Sequence, residues 1–393
     1  MDPSLVGLFA VAGLASLFMA WVIGAGSSGA TPFAPAVGAN AISTMRAAFV
    51  VGVFGFAGAV VQGANVSETV GSGLVAGVSL PAAGVIAVLV IGAGLMSIGI
   101  QTGYPIATAF TVTGAVIGVG LALGGTPVWS TYRVIVAVWV LTPFVGGGIA
   151  YGIARVLPRP DVPERYSVAL LAGLVGAVLA NVRFAFLGPH GTPGSLASLV
   201  RRTLGADGWL LPAGVSLVVA ATVAVAVSRD IARDETRGLR RVLLTLGSLV
   251  AFSAGGSQVG LAVGPVLPLL DDVTAIPLVA VLVGGGIGIL AGSWTGAPRM
   301  IKSLARDYSS LGPRRSIAAL VPSFLVAQVA VLLGVPISFN EIVVSAIIGS
   351  GAAVGGRDAV SRRKILVTVA AWIGSLGMSF ALGYGLTLGL GIG

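Results

Sequence analysis

Gly103-Tyr104-Pro105-Ile106-Ala107-Thr108 leads into Gly114-Ala115-Val116-Ile117-Gly118, and Gly334-Val335-Pro336-Ile337-Ser338-Phe339 leads into Ser345-Ala346-Ile347-Ile348-Gly349 with the same spacing, residue for residue. Proline has no N–H to give a helix and clashes with the preceding turn, so each Gly-x-Pro interrupts an apolar run. A second pair of segments repeats in the same order: Ile23-Gly24-Ala25-Gly26-Ser27-Ser28-Gly29 is echoed by Phe252-Ser253-Ala254-Gly255-Gly256-Ser257-Gln258-Val259. Two interrupted helices per half, in matched order, point to a duplicated chain.

The surroundings of these motifs set the solvent. Of the 393 residues 56% are hydrophobic and 9% charged, and apolar runs recur along the whole length. Runs of about 20 residues are long enough to cross a hydrocarbon layer of roughly 30 Å. We place spans at 5–25, 46–64, 82–101, 104–123, 131–154, 166–181, 212–228, 242–258, 276–296, 316–334, 338–356 and 365–390, twelve in all. Residues 26–42 and 259–272 are apolar but rich in Gly and Pro, which predicts re-entrant segments. Residues 1–25 lack the positive flank of a signal peptide and are kept as a mature span. The expected fold is an all-α integral membrane protein of about twelve segments with broken helices and two inverted-topology repeats.

Sidedness follows from the cations. Arg46, Arg155, Arg159, Arg165, Arg229, Arg233, Arg237, Arg240, Arg241, Arg299, Lys302, Arg306, Arg314, Arg315, Arg357, Arg362, Arg363 and Lys364 fall in one set of alternate loops, 18 of the 22 Lys and Arg. Arg133, Arg183, Arg201 and Arg202 make up the other set. Cytoplasmic loops collect positive charge, so both termini are expected outside a cell membrane crossed many times. This distribution assigns the net charge of +9 to topology and not to nucleic-acid binding. The first repeat covers 1–155, two linking spans with an outer and a basic inner loop cover 156–241, and the second repeat covers 242–393. Five spans precede the linking pair, so the second repeat starts from the opposite side. That is the arrangement of secondary transporters, whose binding sites lie near the midplane where broken helices meet.

The residue inventory argues against an enzyme. There is no cysteine, His190 is the single histidine, and the spans hold no catalytic dyad or metal cluster. The Gly/Ser clusters at 24–31 and 253–260 are the leading candidates for a binding site. Glycine lets the backbone leave helical geometry, freeing N–H groups for anion oxygens. Ser27, Ser28, Thr31, Ser253, Ser257 and Gln258 add neutral hydrogen-bonding groups, with Thr108, Ser338 and Asn340 from the Gly-x-Pro pair. Helix N-termini supply partial positive charge without burying a free cation, which favours an oxyanion. The plainer account of small residues is close helix packing.

Few charges lie near the spans. Glu341 stands three residues after Ser338, either as a capping box or as a protonatable, cation-binding group facing the cavity. Glu68 reads as an interfacial cap, Asp271 and Asp272 as solvated loop residues, His190 as a turn residue, and Arg46 and Arg299 as topological.

These segments resemble the inorganic phosphate transporter (PiT) family through nearly all of both halves. The family's Gly-Ala-Asn-Asp-x-Ala-Asn signature is similar to Ala25-Gly26-Ser27-Ser28-Gly29-Ala30-Thr31 and to Gly255-Gly256-Ser257-Gln258-Val259-Gly260-Leu261. Its Gly-Leu-Pro-Val-Ser-Thr-Thr-His element resembles the Gly-x-Pro segments quoted above. Ser28 and Gln258 stand where the family has its two aspartates, which the resemblance associates with cation and phosphate binding. The resemblance thus implies a divergent phosphate transporter with sodium, a proton or nothing as co-substrate. It leaves sulfate or another oxyanion as alternative cargo, and a non-transporting membrane sensor or scaffold as the alternative of another class. Expected partners are the oxyanion and membrane lipid, with a homodimer as the candidate assembly.

Overall fold

A computed structural model describes residues 3–189, 192–205, 208–271, 276–355 and 360–392. His190, Asp272 and Arg357 lie outside the described residues. The chain forms helices at every predicted span. In the first half these are α1 (Pro3–Gly26), α2 (Ala34–Gly38), α3 (Thr44–Gln62), α4 (Ala64–Ser72), α5 (Ala82–Thr102), α6 (Thr108–Ala122) and α7 (Trp129–Val156). Two short strands, β1 (Val75–Ala76) and β2 (Thr126–Pro127), pair antiparallel beside them. The middle contributes α8 (Glu164–Leu179), α9 (Leu196–Thr203) and α10 (Leu210–Arg233). The second half holds α11 (Glu235–Val263), α12 (Leu267–Asp271), α13 (Leu278–Thr295), α14 (Ala297–Arg306), α15 (Pro313–Leu332), α16 (Phe339–Gly355) and α17 (Arg362–Leu390). Among the described residues, nine helices are long and apolar enough to cross a membrane.

The remaining predicted spans are short helices. With 15 residues in α6 and 17 in α16, each rises about 1.5 Å per residue and falls short of a hydrocarbon layer of roughly 30 Å. Their missing length is the extended Gly-x-Pro stretch before each N-terminus. Gly103 (φ 72°) and Gly334 (φ 63°) both take the left-handed conformation that ends α5 and α15. A residue with a Cβ is strained there, which is why glycine stands at both turns.

Packing contacts come in matching sets. α1 packs on α5 and α13, and α11 on α15 and α3; α6 packs on α17, and α16 on α7. Helix directions follow from the order of close approaches. Gly288 meets Ala20 and Gly296 meets Ala25, so α1 and α13 run the same way. Gly55 lies beside Ala251 and Gly260 beside Val66, so the α3–α4 path and α11 also run together. Gly52 meets Trp294 whereas Gly63 meets Leu282, so α3 and α13 are antiparallel. Hence α1 runs opposite to α11. α8 and α10 pack mainly on each other, and α10 turns its apolar face outward at the periphery.

One expectation is corrected. The segment 259–272 does not form a separate re-entrant piece, because α11 continues unbroken through Ser253, Gly256 and Gln258 to Val263 before a 3-10 turn at Gly264–Val266. Pro265 is the first residue after Glu235 that cannot supply a helix N–H, so nothing earlier stops the helix. The first cluster behaves as expected: α1 ends at Gly26, and residues 27–33 turn before α2.

Candidate functional site

The expected site residues come from four places in the chain. Ser27, Ser28 and Thr31 lie in the turn after α1; Ser253, Ser257 and Gln258 lie on α11; Thr108 starts α6; Ser338 precedes α16, which carries Asn340 and Glu341. All ten are buried. Burial of so many polar groups in an apolar protein is costly unless each finds a partner.

The partners they find cross between halves. Ser27 Oγ donates to Gln258 Oε1 at 3.0 Å, and Gln258 Nε2 donates to the carbonyl oxygen of Ile337, in the turn before α16. Asn340 Nδ2 donates to the carbonyl oxygens of Gly26 at 3.1 Å and Ile106 at 2.7 Å. The end of α1 and both Gly-x-Pro turns are therefore held by two amide side chains. The first turn of a helix leaves its N–H groups without intrahelical acceptors, so the N-termini of α6 and α16 bring free donors and partial positive charge.

Other bonds are local. Thr31 Oγ1 donates to Ser27 O at 3.2 Å, Ser28 Oγ to Ile23 O at 3.4 Å, and Ser253 Oγ to Leu249 O at 2.9 Å. What remains is informative. Among the described residues, six buried side-chain polar atoms have no hydrogen-bond partner: Thr108 Oγ1, Thr113 Oγ1, Ser257 Oγ, Ser338 Oγ, Asn340 Oδ1 and Glu341 Oε2. Five of the six belong to residues expected at the site. Such groups are normally paired, and a cluster of exceptions marks a place where a ligand could complete the bonding. Ser338 Oγ being unpartnered also removes the capping-box account of Glu341.

Among the described residues, Glu341 is the one buried acidic or basic side chain. The four ion pairs among the described residues, Arg237–Asp234, Arg241–Asp230, Arg314–Glu164 and Lys364–Asp307, each have at least one partly exposed partner. Glu68 is exposed in the middle of α4 and so is not the helix cap that the sequence suggested.

A single offset of 231 residues links Gly103 to Gly334 and Pro105 to Pro336. The bond from Ser27 to Gln258 joins the two clusters directly. The second cluster also carries the close-packing role of small residues: a Cβ at Gly255 would overlap the carbonyl oxygen of Gly55, and one at Gly24 that of Ile289.

Sequence reading passed over Gln62, Gln328, Trp139 and Trp372. Gln328 Nε2 donates to Ser253 Oγ at 2.6 Å, and Gln62 Nε2 reaches Arg183 O at 3.1 Å and Gln328 Oε1 at 3.5 Å. The signal was present, since a glutamine inside an apolar run is a polar group that hydrogen-bonds across helices. The two tryptophans looked like ordinary span residues.

Residues 23–383 match the profile of the Phosphate transporter family. The chain is 28% identical over 382 residues to a Pyrococcus furiosus protein provisionally named a phosphate permease, covering 90% of this chain and 89% of the relative. It is 26% identical over 404 residues to the chloroplastic inorganic phosphate transporter 2-1 of Arabidopsis thaliana, covering 92% of this chain and 68% of the relative. A solved structure of a sodium-dependent phosphate transporter shares the fold with a TM-score of 0.80 at 24% identity, covering 98% of this chain and 99% of that one.

Proposed function

Because the chain belongs to the phosphate transporter family, we propose that it carries inorganic phosphate across the cell membrane by alternating access between two inverted units, 1–155 and 242–393. The observation that carries this reading is the Ser27–Gln258 hydrogen bond, which joins the broken end of α1 to α11 beside the unpartnered Thr108, Ser257, Ser338 and Asn340 groups. Neutral donors and two helix N-termini suit an oxyanion, because they stabilise its charge without trapping it as a buried cation would. Ser27, Ser28, Thr31, Ser253, Ser257 and Gln258 line the site, with Thr108, Ser338 and Asn340 from the hinge turns.

Coupling rests on fewer groups. Ser28 and Gln258 cannot supply the carboxylate oxygens that a tightly held sodium ion prefers. Among the described residues Glu341 is the one buried carboxyl beside the unpartnered donors, so a proton is the favoured co-substrate. Both termini are placed outside by the positive-inside bias.

The test is uptake of labelled phosphate and sulfate into liposomes, with and without sodium or proton gradients. Phosphate uptake driven by a proton gradient is expected. Sodium dependence that appears only in the Ser28→Asp and Gln258→Asp variants would show that sodium coupling is absent from the native chain. Absence of flux for every anion would instead favour a sensor or scaffold that keeps the fold.

A further inference from the structure

A cavity of about 520 Å³ opens between the ends of α3 and α15, bordered by α4, the end of α8 and the start of α13. Its walls are mostly apolar, but Asn65, Glu68, Asn181 and Arg183 give it polar positions, and Gln62 and Gln328 also line it. These two glutamines are buried, unlike Glu68 and Arg183, which are exposed. On their far side lies the second serine cluster. Gln328 donates to Ser253 at 2.6 Å, and Gln62 packs against Gly256. One layer of amide side chains thus lies between the cavity and the Ser253–Gly256 stretch of α11.

The bonding of that layer suits a movable partition. Gln62 and Gln328 face each other at 3.5 Å in both directions, at the outer limit of a hydrogen bond. Each has a better partner elsewhere, Arg183 O at 3.1 Å for Gln62 and Ser253 Oγ at 2.6 Å for Gln328. Parting the two amides breaks only the weak contact: each Nε2 keeps its stronger acceptor, and each Oε1 is left to water from the cavity. An oxyanion passing between them would meet N–H donors without a full positive charge that would hold it back.

We infer that this cavity is the vestibule by which the oxyanion reaches the midplane site, and that the Gln62–Gln328 pair is its inner gate. The inference rests on the transport reading above and adds the route and two selective residues to it. Arg183 belongs to the cation-poor set of loops, so the vestibule opens to the outside.

The cysteine-free chain makes the test direct. Asn65→Cys on the cavity wall, Gln328→Cys at the gate and Leu217→Cys on the apolar outer face of α10 are each placed in the full-length protein, reconstituted in liposomes, and exposed from outside to a membrane-impermeant methanethiosulfonate reagent. Labelling rate and labelled-phosphate uptake are both read. N65C is expected to label roughly tenfold faster than L217C and to lose uptake by about the same factor once modified. Q328C is expected to label more slowly than N65C, and slower still in saturating phosphate. Equal labelling of N65C and L217C, or modified N65C with undiminished uptake, overturns the vestibule. If unmodified protein carries no phosphate, the transport reading has failed on its own account. Labelling of N65C then identifies a water-filled pocket without a route, which overturns this inference too. Should Q328C fold poorly, the N65C arm decides alone.

Discussion

The indole Nε1 of Trp139 donates a 2.8 Å hydrogen bond to the carbonyl oxygen of Pro336, in the extended turn that leads into α16. Its counterpart in the other half does the same: Trp372 on α17 donates to Pro105 at 2.7 Å. Each Gly-x-Pro turn is therefore clamped by a long helix of the opposite half. The turns need such donors, because backbone carbonyls outside a helix are costly to leave unpaired away from water. Phe110, on the first turn of α6, stacks on Trp139 with ring centroids 4.0 Å apart, which joins the two hinge regions through one indole.

Removing the indole N–H tests the clamp. Trp139→Phe keeps an aromatic ring beside Phe110 but leaves Pro336 O without its donor, at an expected cost of about 1–3 kcal/mol. Thermal unfolding in detergent should show Trp139→Phe and Trp372→Phe lowered by similar amounts. A loss in only one of the two would mean that the turns are not equivalently held.

Close helix approach makes the second test. A Cβ at Gly255 would overlap Gly55 O, while Gly13 on α1 has nothing within 4 Å of the same position. Gly255→Ala is expected to destabilise by about 1–3 kcal/mol, as overpacking does. Gly13→Ala should be neutral or slightly stabilising, by up to about 1 kcal/mol from helix propensity. Folded yield by size-exclusion chromatography separates them. Equal yields would show that α3 and α11 can slide apart at little cost.

The helices themselves were legible because span length is fixed by bilayer thickness, and Gly-x-Pro marked both hinges through backbone chemistry alone. Ser27 and Gln258 were legible as candidates because they sit on repeated motifs, and the fold brings the two into contact. What the sequence hid was set by packing. Gly256 and Ser257 look as able to break a helix as Gly26 and Ser27, yet α11 passes through them because it is embraced by α3 and α15. Gln62 and Gln328 escaped notice because a lone amide carries no charge to draw attention, and only three-dimensional contact shows that they share a wall with Ser253.

The Ser27–Gln258 bond should behave as a coupled unit. Ser27→Ala removes one donor, and Gln258→Leu removes both the acceptor for Ser27 and the donor to Ile337 O. Contacting residues in one network show coupling energies of about 0.5–3 kcal/mol. In a double-mutant cycle read by phosphate uptake, the paired variant is expected to lose much less than the product of the single losses. Strict additivity would place the two residues in independent roles.

Glu341 offers a charge test. Its Oε2 has no hydrogen-bond partner, and it sits one residue after Asn340, which ties α16 to Gly26 and Ile106. Glu341→Gln keeps size and hydrogen-bonding groups but cannot exchange a proton. Uptake by this variant should persist down a phosphate gradient and lose its response to an imposed proton gradient. A retained response would move proton coupling to another group.

A last prediction concerns the turn at Gly103. Lys364 Nζ donates to Gly103 O at 3.1 Å, Ser303 Oγ at 3.3 Å and Asp307 Oδ2 at 3.1 Å, and lies 4.1 Å from the Tyr104 ring centroid. Next to it, Tyr308 is buried with its hydroxyl 2.6 Å from Thr368 Oγ1, and burial pushes its phenol above the ordinary range, so it stays neutral. The ion pair is the lesser part of this assembly: Asp307 is 45% exposed, and solvent screening weakens such pairs to roughly 0–1 kcal/mol. Gly103 O accepts from Ser303 Oγ at 2.9 Å as well, but unlike Asp307 the Lys364 side chain, 13% exposed, itself bonds this carbonyl and contacts the Tyr104 ring. Lys364→Met should therefore lower the unfolding temperature and slow uptake more than Asp307→Asn does, and raised salt should mimic the aspartate variant only. If the two variants match each other in both measurements, the ion pair governs the turn and the carbonyl bond does not.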